Sequence, residues 1–171
     1  MDVFVEQIVK IKNSAARIIA MALIVLATIG GALLLLMYST NPGYNLLVLG
    51  AAALIWGAYK ILLLFFIEYE YIITNGTIDI DKITAKRTRN RIVSFDCKNI
   101  LRGGKYSVDA KPVTDAAETL IFCNANDSGA YYLLVNNNGK KRLIVFAPNE
   151  KMRAAIKECV PRTLAKDLFA D

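Results

Sequence analysis

Residues 18–59 carry no charged side chain, and their apolar run is interrupted only by Ser39-Thr40-Asn41-Pro42-Gly43. This pattern predicts two membrane-spanning helices, residues 18–38 and 46–67, joined by a polar loop. At about 1.5 Å per residue the first reaches roughly the 30 Å of a hydrocarbon core. From residue 68 the period changes to two. Residues 68–74 and 77–84 flank Asn75-Gly76, which supplies the positive φ angles of a two-residue type I′ turn. In that hairpin Tyr71, Ile73, Ile78 and Ile80 share an apolar face. Glu70, Asp79 and Asp81 take the other face, which is expected to be wet. Further strands are predicted at 89–97, near 105–108 after the Gly103-Gly104 break, and at 118–124, 130–137 and 140–147. Residues 111–117 form a loop or a helical turn, and Asn138-Gly139 a second tight turn. Asn149 caps a closing helix with Met152, Ala155, Ile156, Cys159 and Val160 as its buried stripe, ended by Pro161. Before the first span, Val3, Phe4, Ile8 and Ile11 fall on one side of a short helix, so residues 1–17 are expected to be an amphipathic lead-in at the membrane surface.

Composition sharpens this division. The chain is 171 residues long, 55% hydrophobic and +6 in net charge, yet almost all the charge lies outside residues 18–67. The first apolar run is too long for a signal peptide and a second follows it at once, which predicts an uncleaved anchor. Lys10, Lys12 and Arg17 precede the spans, and Lys82, Lys86, Arg87, Arg89 and Arg91 follow them, whereas the loop at 39–45 has no basic residue. The positive-inside bias therefore predicts a multi-pass protein of the cell membrane with both termini cytoplasmic. Lys60 lies near the end of the second span, where its stem can reach the headgroups. Ala16, Ala20, Ala27 and Gly30 on one helix, and Gly50, Ala53 and Gly57 on the other, offer close backbone approach within a hairpin or to a second copy, which leaves a homo-oligomer open.

A pair of spans running directly into Glu68-Tyr69-Glu70-Tyr71-Ile72-Ile73-Thr74, a turn, more short strands and a closing helix resembles bacterial membrane proteins with a pleckstrin-homology-like (PH-like) cytoplasmic domain. The resemblance implies a two-helix transmembrane hairpin, residues 18–67. A mainly β, PH-like sandwich or barrel of about seven strands with a C-terminal helix follows, residues 68–171. It implies location and architecture more than an activity.

The chemistry is mostly exclusion. The chain has no histidine, which removes the usual general base and the commonest zinc ligand, and it has no phosphate-cradling glycine motif. No catalytic residue, cofactor or metal is expected, and the protein is not expected to be an enzyme. Cys97, Cys123 and Cys159 are dispersed and odd in number, so they are taken as small apolar residues in a reduced cytoplasm and not as disulfide partners. Asn75-Gly76-Thr77 and Asn126-Asp127-Ser128 match the glycosylation pattern, which has no role in the cytoplasm. The cluster with a functional reading is Lys82, Lys86, Arg87, Arg89 and Arg91. The second strand returns toward the bilayer, so this tip is expected to face anionic headgroups. Nucleic acid is not an expected partner, because no aromatic side chain interleaves the basic run. The expected function is a membrane-anchored interaction or scaffold module with a protein partner. The alternative is an oligomeric, holin-like or small-channel component.

Overall fold

The computed structural model describes residues 4–107, 115–124, 129–137 and 139–169. Val3, Val108, Asn138, residues 111–114 of the expected connection and the Asn126-Asp127-Ser128 triplet lie outside them. The chain forms two compact units: one comprises residues 1–11, 68–83 and 87–171, the other residues 12–67 and 84–86.

Residues Phe4–Lys10 are a strand, β1, and not an amphipathic helix. β1 pairs antiparallel with β2, Ile67–Thr74, with Val5 opposite Ile73, Gln7 opposite Tyr71 and Lys10 opposite Glu68. The apolar positions at 4 and 8 fit one helical face, but Val5 and Val9 fit one strand face, and those two pack against the core. Gln7 holds the same side: its Nε2 donates to the Ala147 carbonyl at 2.9 Å, and its Oε1 accepts from the Asn149 N–H at 2.8 Å.

β2 turns into β3, Thr77–Thr84, through Asn75 and Gly76, whose φ angles are 48° and 86° as a type I′ turn requires. β4, Thr88–Asp96, completes a four-stranded sheet in the order β1-β2-β3-β4. The second sheet contains β5 Ile100–Lys105, β6 Glu118–Ile121, β7 Tyr131–Asn137 and β8 Lys140–Phe146, in the order β5-β7-β8-β6. β6 runs parallel to β8, and the others run antiparallel. The Gly103-Gly104 pair lies inside β5 and does not break it. A Cβ at Gly103 would meet Leu133 and Leu168 side-chain carbons at 2.8 Å, so the glycine lets the strand sit close to its neighbours.

Tyr71, Ile73, Ile78, Ile80, Val93 and Phe95 from the first sheet and Leu133, Val135, Ile144 and Phe146 from the second fill one core. Leu143 and Val145, on the other face of β8, join Tyr106, Cys123 and Ala130 in a second cluster, so both faces of the final hairpin are apolar. The closing helix α3 is Glu150–Cys159. Asn149 Oδ1 accepts from the Met152 N–H at 2.8 Å, and Met152, Ala155 and Ile156 are buried. After Pro161 a short helix, Arg162–Ala165, beyond the expected elements, leads to Leu168 and Phe169, which plug into the main core.

The second unit pairs α1, Ala15–Ser39, with α2, Leu47–Leu63. Among the described residues α1 is the one helix long and apolar enough to cross a membrane; α2 is apolar but, at 17 residues, shorter than the expected span. It ends at Leu63 because the chain turns into β2 by Ile67. That ending puts Lys60 in the last helical turn, its Nζ 5.3 Å from the Trp56 ring centroid. Of the expected small-residue faces, Gly50 lies where the helices meet and Gly30 and Gly57 do not. Ala32 and Ala51 are buried there, and Gly31 faces Leu54 and Gly50 faces Leu35, whereas a Cβ at Gly30 or Gly57 would meet nothing within 4 Å.

Candidate functional site

The tip between β3 and β4 is built by a reversal at Ala85 and Lys86, whose φ angles of 54° and 57° are unusual for residues with a side chain. The Ala85 N–H donates to the Phe66 carbonyl at 2.8 Å, three residues beyond the end of α2. Residues 84–86 therefore belong with the end of the apolar hairpin in the second unit, where Leu64 and Phe66 are exposed. Among the described residues Lys82, Lys86 and Arg87 make no ion pair, and Lys86 and Arg87 are exposed.

Arg89 and Arg91 are differently employed. Arg89 Nη2 lies 2.8 Å from Glu70 Oε1. Arg91 lies 3.0 Å from Asp79 Oδ2 through Nη2 and 3.2 Å from Asp81 Oδ1 through Nε. The expectation of five equivalent headgroup-facing cations thus divides into three open charges and two arginines already matched to carboxylates. The same contacts correct the expectation of a wet face, because Glu70 is 0% and Asp81 4% exposed. Alternation assigns a residue to a face but says nothing of what covers that face. Here the long arginines of an edge strand reach over short acidic neighbours.

Among the described residues, Glu70 is a fully buried acid. Its pKa is raised, first by burial and next by a hydrogen bond with the Glu6 carboxyl, against the lowering effect of Arg89. Glu6 belongs to β1, opposite Ile72, while Glu70 stands opposite Ile8, so the two acids are diagonal neighbours across the ladder. Glu70 Oε2 is buried and accepts from no N–H or O–H donor. The helix-compatible spacing of Phe4 and Ile8 hides Glu6 in the sequence; the placement of Val5, Gln7 and Val9 on one strand face is the signal that reveals it.

Elsewhere the described residues contain no cluster of acidic, histidine or cysteine side chains able to hold a metal ion. The cysteines depart from expectation. Cys97 and Cys159 form a disulfide, with Cα atoms 5.8 Å apart, and Cys123 is buried separately. Their separation of 62 residues in sequence hid the pairing, which follows only once α3 is laid beside the turn after β4.

These features sit on a framework with a counterpart among known proteins. A family model described as bacterial PH-like domain (DUF6106) matches residues 1–166. The chain belongs to this family. The match covers β1 and the helical segment as well as the two sheets. Comparison with curated proteins and with solved structures gives no match.

Proposed function

We propose that this protein is a non-enzymatic interaction or scaffold module of the bacterial cell membrane, its PH-like domain held against the cytoplasmic surface by a two-span helical hairpin. One observation carries this reading: Lys10 stands opposite Glu68 across the β1-β2 ladder. The chain leaves the sheet and re-enters it at neighbouring points, which lie on one side of any bilayer that α1 crosses. The return through α2 then crosses it too. Its 17 residues cover about 25 Å, and the apolar Leu64-Phe65-Phe66 segment extends the path toward the interface. The basic residues on both flanks put that side in the cytoplasm.

Lys82, Lys86 and Arg87 are the anionic-headgroup contacts in this reading, each worth about 1 kcal/mol near such a surface. A protein partner is expected along β1, an edge strand whose Phe4 and Ile8 are 64% and 50% exposed on one face. The channel reading has weaker support. The groove of about 400 Å³ between α1 and α2 is lined by Val25, Ile29, Leu33, Ile55 and Leu62, and the Thr28 hydroxyl at its wall donates to the Ile24 carbonyl at 2.6 Å. Such a lining offers no path for ions.

Proteoliposomes of the full-length protein test both readings at once. A polarity-sensitive dye on Lys86→Cys, with the native cysteines replaced by serine, should report headgroup contact in anionic membranes that weakens in neutral lipid or high salt, with no ion flux. A dye signal indifferent to lipid charge would reduce the tip to a topology signal. Sustained flux would favour the channel.

A further inference from the structure

We propose that Cys97 and Cys159 are a redox-responsive clasp, a dithiol at rest that closes on oxidation and locks the end of α3 onto the sandwich. The proposal rests on the cytoplasmic placement of the domain, since a reduced compartment keeps most thiol pairs open. Geometry makes the pair competent: the Cα separation of 5.8 Å needs no backbone movement for the bond to form. Cys97 opens the short turn after β4 and is 1% exposed. Its N–H donates to the Gly76 carbonyl at 2.8 Å, so it is a fixed anchor. Cys159 is the last residue of α3 and only half-buried, which makes it the sulfur an oxidant meets first.

Hydrogen peroxide is the oxidant class that balances the step. The Cys159 thiolate attacks one peroxide oxygen, the O–O bond breaks, and the departing hydroxide takes a proton to become water. The sulfenic acid left on Cys159 is then attacked by the Cys97 sulfur, and its oxygen leaves as a second water. The two sulfurs lose two electrons in total, and the peroxide oxygens gain them. A small-molecule disulfide reaches the same product by two exchange steps and departs as two thiols.

The clasp controls a specific piece of the fold. The bulk of α3 is held by Met152, Ala155 and Ile156 whatever the sulfurs do. Beyond Cys159 come Val160, Leu168 and Phe169, which close the core. Phe169 stacks edge-on with Tyr131 at a 5.1 Å centroid distance, and Leu168 occupies the space that Gly103 leaves open. With the bond formed this plug is tethered at its root, and with the bond open it is held by packing alone.

The test counts thiols in the full-length protein. Cells are quenched in acid, denatured and treated with a maleimide polymer, before and after brief exposure to peroxide or diamide. The expected result is three reactive thiols at rest and one after oxidation, reversed by a reductant. Cys97→Ser and Cys159→Ser should each block the change, and Cys123→Ser should not. In the purified protein, reduction should speed amide exchange in residues 160–169 by about tenfold or more, with β2 and β3 unaffected. Three thiols both before and after oxidation would overturn the clasp. A bond complete in resting cells would also overturn it and leave a permanent staple. Labelling of the 39–45 loop shows independently whether the cytoplasmic placement has failed as well.

Discussion

Deleting residues 1–11 is expected to destabilise the PH-like unit so far that a fragment of residues 68–171 is partly unfolded in water at room temperature. β1 is a seven-residue strand of the first sheet, and without it β2 becomes an edge. Val5 and Val9 leave the core, and the two hydrogen bonds of Gln7 to the β8-α3 connection disappear. Tyr71 and Ile73, both 0% exposed, lose their cover on that side. Half-burial of two valines, two side-chain hydrogen bonds and part of a ladder together come to about 3–5 kcal/mol, a large share of the roughly 5–15 kcal/mol that holds a typical domain. Because Lys10 and Glu68 are cross-strand neighbours, residues 1–10 joined to 68–171 through a short Asn-Gly turn should restore the sheet as an ordinary hairpin. Urea unfolding followed by circular dichroism distinguishes the two proteins. Equal stability with and without residues 1–11 would make β1 peripheral.

In that joined domain, Arg89→Ala should cost about 1–3 kcal/mol at neutral pH, because it leaves the fully buried Glu70 carboxyl without its cationic partner. Glu70→Gln should cost little or stabilise, since an amide still accepts from Arg89 and donates toward Glu6. The pH dependence gives a sharper readout. Glu70 titrates above its ordinary 4.5, so above that pH the folded state holds a proton that the unfolded state has released. Stability therefore falls as pH rises from about 4.5 through the raised folded value, and below 4.5 the contribution is flat. Glu70→Gln should remove this fall, and Arg89→Ala should extend it to higher pH. Asp96 and Asp115 act in the opposite sense. Hydrogen bonds from Lys98 and Lys141 hold both below the usual 3.8, so their contribution is present above 3.8 and is lost as pH falls through the lowered folded values. Unfolding free energies of the three proteins from pH 4 to 8 test the assignment, and parallel curves would show that Glu70 is not the titrating group.

The parts of the fold that could be read in the sequence are those fixed by local chemistry. Asn75-Gly76 dictated a turn whose backbone angles are as expected, and Asn149 capped α3 through a bond inside its own first turn. The buried stripe of α3 and the two-sided apolar hairpin followed from periodicity alone. What escaped depends on partners distant in sequence. β1 has helix-compatible spacing and becomes a strand because β2, more than fifty residues on, offers it a ladder. The Cys97–Cys159 bond and the Leu168-Phe169 plug likewise need the assembled sandwich. At the candidate site the basic tip was legible, but the division of its charges was not. Arg89 and Arg91 differ from Lys86 and Arg87 only through carboxylates that other strands bring under them.

The central claim, a PH-like domain on the cytoplasmic side with both flanks of its hairpin emerging together, is most directly tested by cysteine accessibility in intact cells. Lys10→Cys, Thr40→Cys and Lys157→Cys, each in a protein whose native cysteines are serine, sample the strand before the hairpin, the loop within it and the helix that closes the domain. A membrane-impermeant maleimide should label position 40 from outside, and positions 10 and 157 only after the cells are opened. Labelling of 10 and 157 from opposite sides, or of 157 together with 40 from outside, would contradict the account.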